Sequence, residues 1–201
     1  MLDMIIKGGT VVTPAGAGEW DIGIQGEKIV AVTLPGVLPE ENATIMDVTG
    51  KIVVPGGIEA HAHAAANVQP GARQLVEGTP NAGPADHSLG AIWGGTTTVI
   101  DFAPVPNEGD LAAGIHDFLK PWQGNAYTDY STHCIYANRN TPESISRYKE
   151  LLDAGFPSIK VFTTDIRPPE GRVNSLTPGG KTDAGRIEHL MTEIARHGGI
   201  L

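Results

Sequence analysis

From residue 52 onward, short apolar runs rich in β-branched residues alternate with stretches of helical periodicity, a grammar that parallel βαβ units satisfy and few other folds do. The strand runs fall at residues 52–58, at 96–100 leading into Asp101-Phe102, at 130–137 and at 158–162, and Ile200-Leu201 opens a fifth. Helices are predicted between them at 85–93, 110–119, 142–153 and from 182 or 183 to about 197. The third is the best marked. Thr141 stands as its N-cap, Pro142 at its first position and Gly155 just past its end, while Ile145, Tyr148 and Leu152 recur at helical spacing. Residues 1–51 read differently, as short strands at 4–6, 10–12, 21–24 and 29–32 punctuated by Gly8-Gly9 and a turn at Gly26-Glu27-Lys28. A small β domain over 1–51 and an α/β domain over 52–201 are therefore expected.

Several function classes drop out. The single Cys134 excludes a disulfide framework and a cysteine-based zinc site. A net charge of −9 without a Lys/Arg cluster leaves no electrostatic footprint for nucleic acid or an anionic membrane. The first residues lack a basic stretch followed by an apolar one, and no apolar run approaches the roughly 20 residues that span a bilayer. The cytoplasm is the expected location and small-molecule chemistry the expected activity. Asn42-Ala43-Thr44 has the letters of a glycosylation acceptor but no secretory signal to give them meaning.

The chemistry-bearing residues lie where strands end. In extended chain, residues i and i+2 point to one side, so His61 and His63 can converge on one ion at the end of the first strand; equally, they can be two polar residues at the start of a loop. The loop that follows, residues 64–84, is long and rich in Gly and Pro, on the side of a βα unit where substrates bind. Lys160 sits in the apolar run 158–162, where an ammonium is costly to bury. Either its stem snorkels from a strand end, or the neutral amine has reacted with carbon dioxide to form an anionic carbamate. His133 reads as a hydrogen-bonded strand residue, Asp101 as a loop anchor or a site-lining acid, and Cys134 as a small buried apolar group. His87, His116, His189 and His197 fall on helices as surface or packing residues. Gly180-Lys181-Thr182 lacks the leading glycine and preceding strand of a phosphate loop.

Taken in order, Val54-Pro55-Gly56-Gly57-Ile58-Glu59-Ala60-His61-Ala62-His63, Gly94-Gly95-Thr96-Thr97, Ile100-Asp101-Phe102, Asp129-Tyr130 with His133, and Lys160-Val161-Phe162 resemble the amidohydrolase superfamily, in particular its cyclic-amide branch. The resemblance implies the N-terminal part of a TIM-like (β/α)₈ barrel preceded by a small β-sandwich domain. It implies hydrolysis of a cyclic amide C–N bond in a small-molecule substrate by a metal-bridging hydroxide. The cofactors would be two divalent ions, usually zinc, with His61 and His63 on the more buried one and carboxylated Lys160 bridging both as a metal ligand and catalytic group. A linear N-acyl amide hydrolase and a non-catalytic self-assembling scaffold are the alternatives. Members are often tetrameric, so a homo-oligomer is expected. Two positions depart from the branch: Glu59 stands where an Asp is usual, and Asp165 where an ungapped count from Lys160 places a Tyr that donates to the substrate oxyanion. A closed barrel takes about 250 residues, so the chain is expected to carry only the first half and to need the remaining half for its other ligands.

Overall fold

The computed structural model describes residues 1–70, 80–137, 140–162 and 184–201. The chain divides into two compact units, Met1–Gly56 and Gly57–Leu201.

The first unit holds β1 (Met4–Lys7), β2 (Thr10–Thr13), β3 (Gly16–Glu19), β4 (Asp21–Gln25), β5 (Lys28–Thr33), β6 (Thr44–Asp47) and β7 (Ile52–Val53). They form one sheet in the order β5-β4-β1-β6 and another in the order β3-β2-β7. The core is small, centred on Ile5, Val11 and Ile22. Two strands go beyond the expected ones. β3 has the sequence Gly-Ala-Gly-Glu, with no β-branched residue to announce it, and owes its pairing to the tight turn from β2. β6 is held in parallel alongside β1, and Asn42, with φ of 64°, makes the left-handed turn that leads into it. That gives Asn42 a backbone task, since Asn tolerates this conformation better than most residues.

The expected strand over 52–58 is corrected. Ile52–Val53 pairs with Thr10 and Val11 inside the first unit, and only Gly57–Glu59, labelled β8, joins the sheet of the second. Pro55 has no N–H to give a ladder, so one run of apolar residues is cut into two strands serving different sheets.

The second unit continues with α1 (Pro84–Trp93), β9 (Thr96–Pro104), α2 (Leu111–Phe118), β10 (Asp129–Ile135), α3 (Pro142–Ser146), α4 (Tyr148–Asp153), β11 (Ile159–Lys160) and α5 (Ala184–His197). Its strands make an open parallel sheet in the order β11-β10-β9-β8, extended by a parallel bridge from Ser158 to Ile200. The expected third helix is interrupted at Arg147 (φ −93°, ψ 10°), giving α3 and α4. Both of its end signals hold. Thr141 Oγ1 accepts from Ser144 N–H, and beyond Ala154 the Gly155 N–H donates to the Leu152 carbonyl and Phe156 N–H to that of Leu151, with Gly155 at φ 90°. This is the Schellman arrangement, which needs a left-handed residue at the position Gly155 occupies.

Side chains alternate across the sheet. Val99, Ala103, Cys134, Tyr136 and Ile159 face the helices and merge with Leu111, Ile115, Trp122, Ile145, Tyr148, Leu151 and Leu190 into the main core. Phe102, Ile135 and Ala137, with Phe162 against them, form a smaller cluster on the other face.

Candidate functional site

Strand parity positions the site. Asp101 and Phe102 are consecutive on β9, so they point to opposite faces. Asp101, fully buried, is committed: its Oδ2 accepts from Ala65 N–H at 2.7 Å and from Trp122 Nε1–H at 2.9 Å, and its Oδ1 from Phe102 N–H at 2.7 Å. Of the two readings of this residue, the loop anchor is the one the geometry shows, because Ala65 lies in the segment that carries the histidine pair.

Phe102 is the floor of the site on the opposite face. The His61 and His63 rings lie 5.5 Å apart, with centroids 4.6 and 4.8 Å from that of Phe102. Lys160 Nζ sits 4.2 Å from the Phe102 centroid and 3.4 Å from His61 Nε2. His133 comes from β10, directly across the ladder from Phe102, with ring centroids 5.0 Å apart. An open cleft of about 390 Å³ is lined by Ala60, His61, Phe102, His133 and Lys160 among others. Thus residues 99 positions apart in sequence meet because β8, β9, β10 and β11 end on one side of a parallel sheet.

The segment bearing the histidines is pinned at several points. His61 N–H donates to Glu59 Oε1 at 2.8 Å, Ala62 N–H to the Ile100 carbonyl at 3.1 Å, and Ala65 N–H to Asp101. Loss of surrounding water holds the His63 imidazole below its usual range; the charge of Asp101 opposes this, while Lys160 and His61 add to it. Desolvation likewise lowers the Lys160 ammonium. Among the described residues no three His, Cys, Asp or Glu side chains gather in a metal-binding group, so the donor set here is two imidazoles and an amine. That set suits a divalent ion only when the amine is neutral or modified, since an ammonium has no lone pair to offer.

The other expectations sort out plainly. Cys134 is buried against the helices and its thiol is pushed up to about 12, the mark of an inert side chain. His116 packs on Phe156, His189 meets Ser146 and His197 lies near Glu193, all away from the cleft. Asp165, the loop residues 71–79 and Gly180-Lys181-Thr182 lie outside the described residues. Sequence reasoning gave no role to Phe102; the signal was its parity opposite Asp101 and its place in register with His133.

No protein-family model matches the chain. It is 28% identical to a D-hydantoinase of Streptomyces coelicolor over 98% of its own length and 39% of that protein's. It is 33% identical to a dihydropyrimidinase of Arabidopsis thaliana over 79% of its length and 28% of the relative's. The solved D-hydantoinase from Bacillus sp. AR9 superposes with a TM-score of 0.76 at 26% identity, covering 98% of this chain and 39% of that one. The chain thus spans about two-fifths of the curated relative it matches end to end. Over the length it spans, the chain is similar to the D-hydantoinases and dihydropyrimidinases and fits the cyclic-amide branch of the amidohydrolases.

Proposed function

We propose that this chain supplies part of the active site of a metal-dependent hydrolase that opens a cyclic amide by breaking its C–N bond. The observation that carries the reading is the meeting of His61, His63 and Lys160 around Phe102 at the strand ends. In this reading the open sheet is a portion of a (β/α)₈ barrel, the first unit is a portion of a β-sandwich, and the working protein is a cytoplasmic homo-oligomer.

His61 and His63 would hold a divalent ion, zinc by preference, through ring nitrogens, and Lys160 would take part once carboxylated. When bound, such ions polarise an amide carbonyl and lower the pKa of water to about 7. The residues of this chain prepare that chemistry. Desolvation of Lys160 favours its neutral amine, which adds to carbon dioxide and releases one proton to become a carbamate with two oxygen donors. Phe102 keeps water from beneath both imidazoles and limits the rotamers open to them. Asp101 and Trp122 secure Ala65 from the helix side, so the loop that bears the pair cannot drift from the sheet end. Asp165 is the proposed substrate-facing residue; as a carboxylate it would not donate to an oxyanion, which points to a ring whose substituents differ from those of plain hydantoin. The names of the relatives favour a cyclic over a linear amide, and three donors gathered around one aromatic ring favour an enzyme over a scaffold.

The test is made on the complete protein loaded with zinc. Ring opening of a panel of hydantoins and dihydropyrimidines, plain and substituted, is followed before and after chelation, in the native protein and in His61→Ala, His63→Ala and Lys160→Ala. Activity lost with the metal, restored with it, and lost in each variant is expected. Full turnover in the chelated protein, or in all three variants, would overturn the reading.

A further inference from the structure

One more titratable side chain faces the cleft without a role so far. His133 Nδ1 lies 2.6 Å from Ser158 Oγ, and its Nε2 lies 3.1 Å from the carbonyl oxygen of Ala60. A carbonyl oxygen only accepts, so Nε2 carries a proton, and in the neutral ring Nδ1 then accepts from the Ser158 hydroxyl. The pairing fixes the tautomer, and it makes His133 a strut that reaches from β10 past β9 to the chain just beyond β8.

The peptide it reaches is the one that leads into the histidine pair. Its carbonyl is taken by His133, and its N–H, that of His61, is taken by Glu59 Oε1 at 2.8 Å. A peptide unit is planar, so holding both polar atoms fixes the plane from which the His61 Cα departs. The His61 ring that follows ends with Nε2 at 3.4 Å from Lys160 Nζ.

We propose that His133 is a positioning residue: together with the Glu59 carboxylate it clamps the Ala60–His61 peptide and thereby aims the His61 imidazole at the Lys160 side of the cleft. The proposal rests on the reading of His61 as a metal-holding residue. It gives the histidine of β10 and the unusual Glu59 one shared task, and it places Ser158 as the group that keeps the His133 ring turned the right way.

The experiment uses zinc as the probe and the complete protein. Zinc affinity by chelator competition should fall about 10-fold or more in His133→Ala, the range found when groups that orient a metal ligand are removed. Gln places an amide N–H near the Nε2 position and Asn near Nδ1, so His133→Gln should recover affinity to within about 3-fold and His133→Asn should not. Glu59→Ala should weaken zinc as well, and the double variant with His133→Ala should lose less than the product of the two, because both act on one peptide plane. In the metal-free protein, nitrogen–proton NMR correlations of the His133 ring should show the Nε2–H tautomer. An Nδ1–H tautomer, losses that multiply, or no recovery in a His133→Gln variant that melts like the parent would each overturn the proposal. Zinc affinity untouched by His61→Ala would instead overturn the metal reading and the proposal's consequence for zinc, while the tautomer judges the clamp by itself.

Discussion

The two faces of the sheet in the second unit are built on opposite logic. On the helix side the buried polar groups of the sheet find internal partners at four places: Asp101 accepts three hydrogen bonds, Trp122 spends its indole N–H there, Tyr136 donates to the Ser144 carbonyl, and Thr132 accepts from Ala103 N–H. On the cleft side His61 and His63 are exposed, and their imidazoles rest on Phe102. The buried acid is the structural one, and the exposed imidazoles are the ones we propose to be functional. Polar groups with all partners satisfied contribute specificity to a fold, whereas donors left facing a cleft are available to something that is not part of the chain.

That contrast can be broken experimentally, most severely at Trp122. It is fully buried, and Trp122→Ala removes both its volume and the donor to Asp101, so a loss of about 3–5 kcal/mol in urea unfolding is expected. Asp101→Asn keeps the shape but turns one acceptor into an amide donor facing N–H groups; a loss of about 1–3 kcal/mol is expected, together with faster hydrogen exchange at Ala65. Alkaline pH probes the same face through Cys134. Its folded-state value of about 12 lies above the ordinary thiol value of 9.0, so the unfolded chain loses its proton first. The contribution is therefore intact below pH 9 and is lost as pH rises, at a slope of about 1.4 kcal/mol per pH unit between 9 and 12. Unfolding midpoints of the parent and Cys134→Ala at pH 8, 9 and 10 should converge as pH rises. The smallest effect belongs to the cleft: His61→Ala and His63→Ala should change the stability of the metal-free protein by no more than about 0.5 kcal/mol. If either destabilises the chain as much as Asp101→Asn, the two faces do not differ as described.

Much of this was legible in residue order because it depends on local chemistry. Thr141, Pro142 and Gly155 bounded a helical stretch correctly, since caps act within a few residues, yet nothing in the pattern marked the break at Arg147. Alternation on β9 and β10 followed from the pleat. The run 52–58 was misread as one strand because apolar character does not say which sheet a residue joins; pairing with Thr10 and Val11 decided that, across some 40 positions of chain.

By itself the sequence determined the parallel α/β grammar, the separate β segment, the inert cysteine and the positions of His61, His63 and Lys160 at strand ends, all of which follow from residue type, spacing and short-range steric rules. Only the tertiary structure decided that Asp101 anchors rather than lines the cleft, that Phe102 is the floor beneath both imidazoles, and that His133 reaches Ala60. Those are contacts between strands far apart in the chain. Their existence depends on sheet register, and register is set by how the whole sheet packs rather than by any one segment's preference.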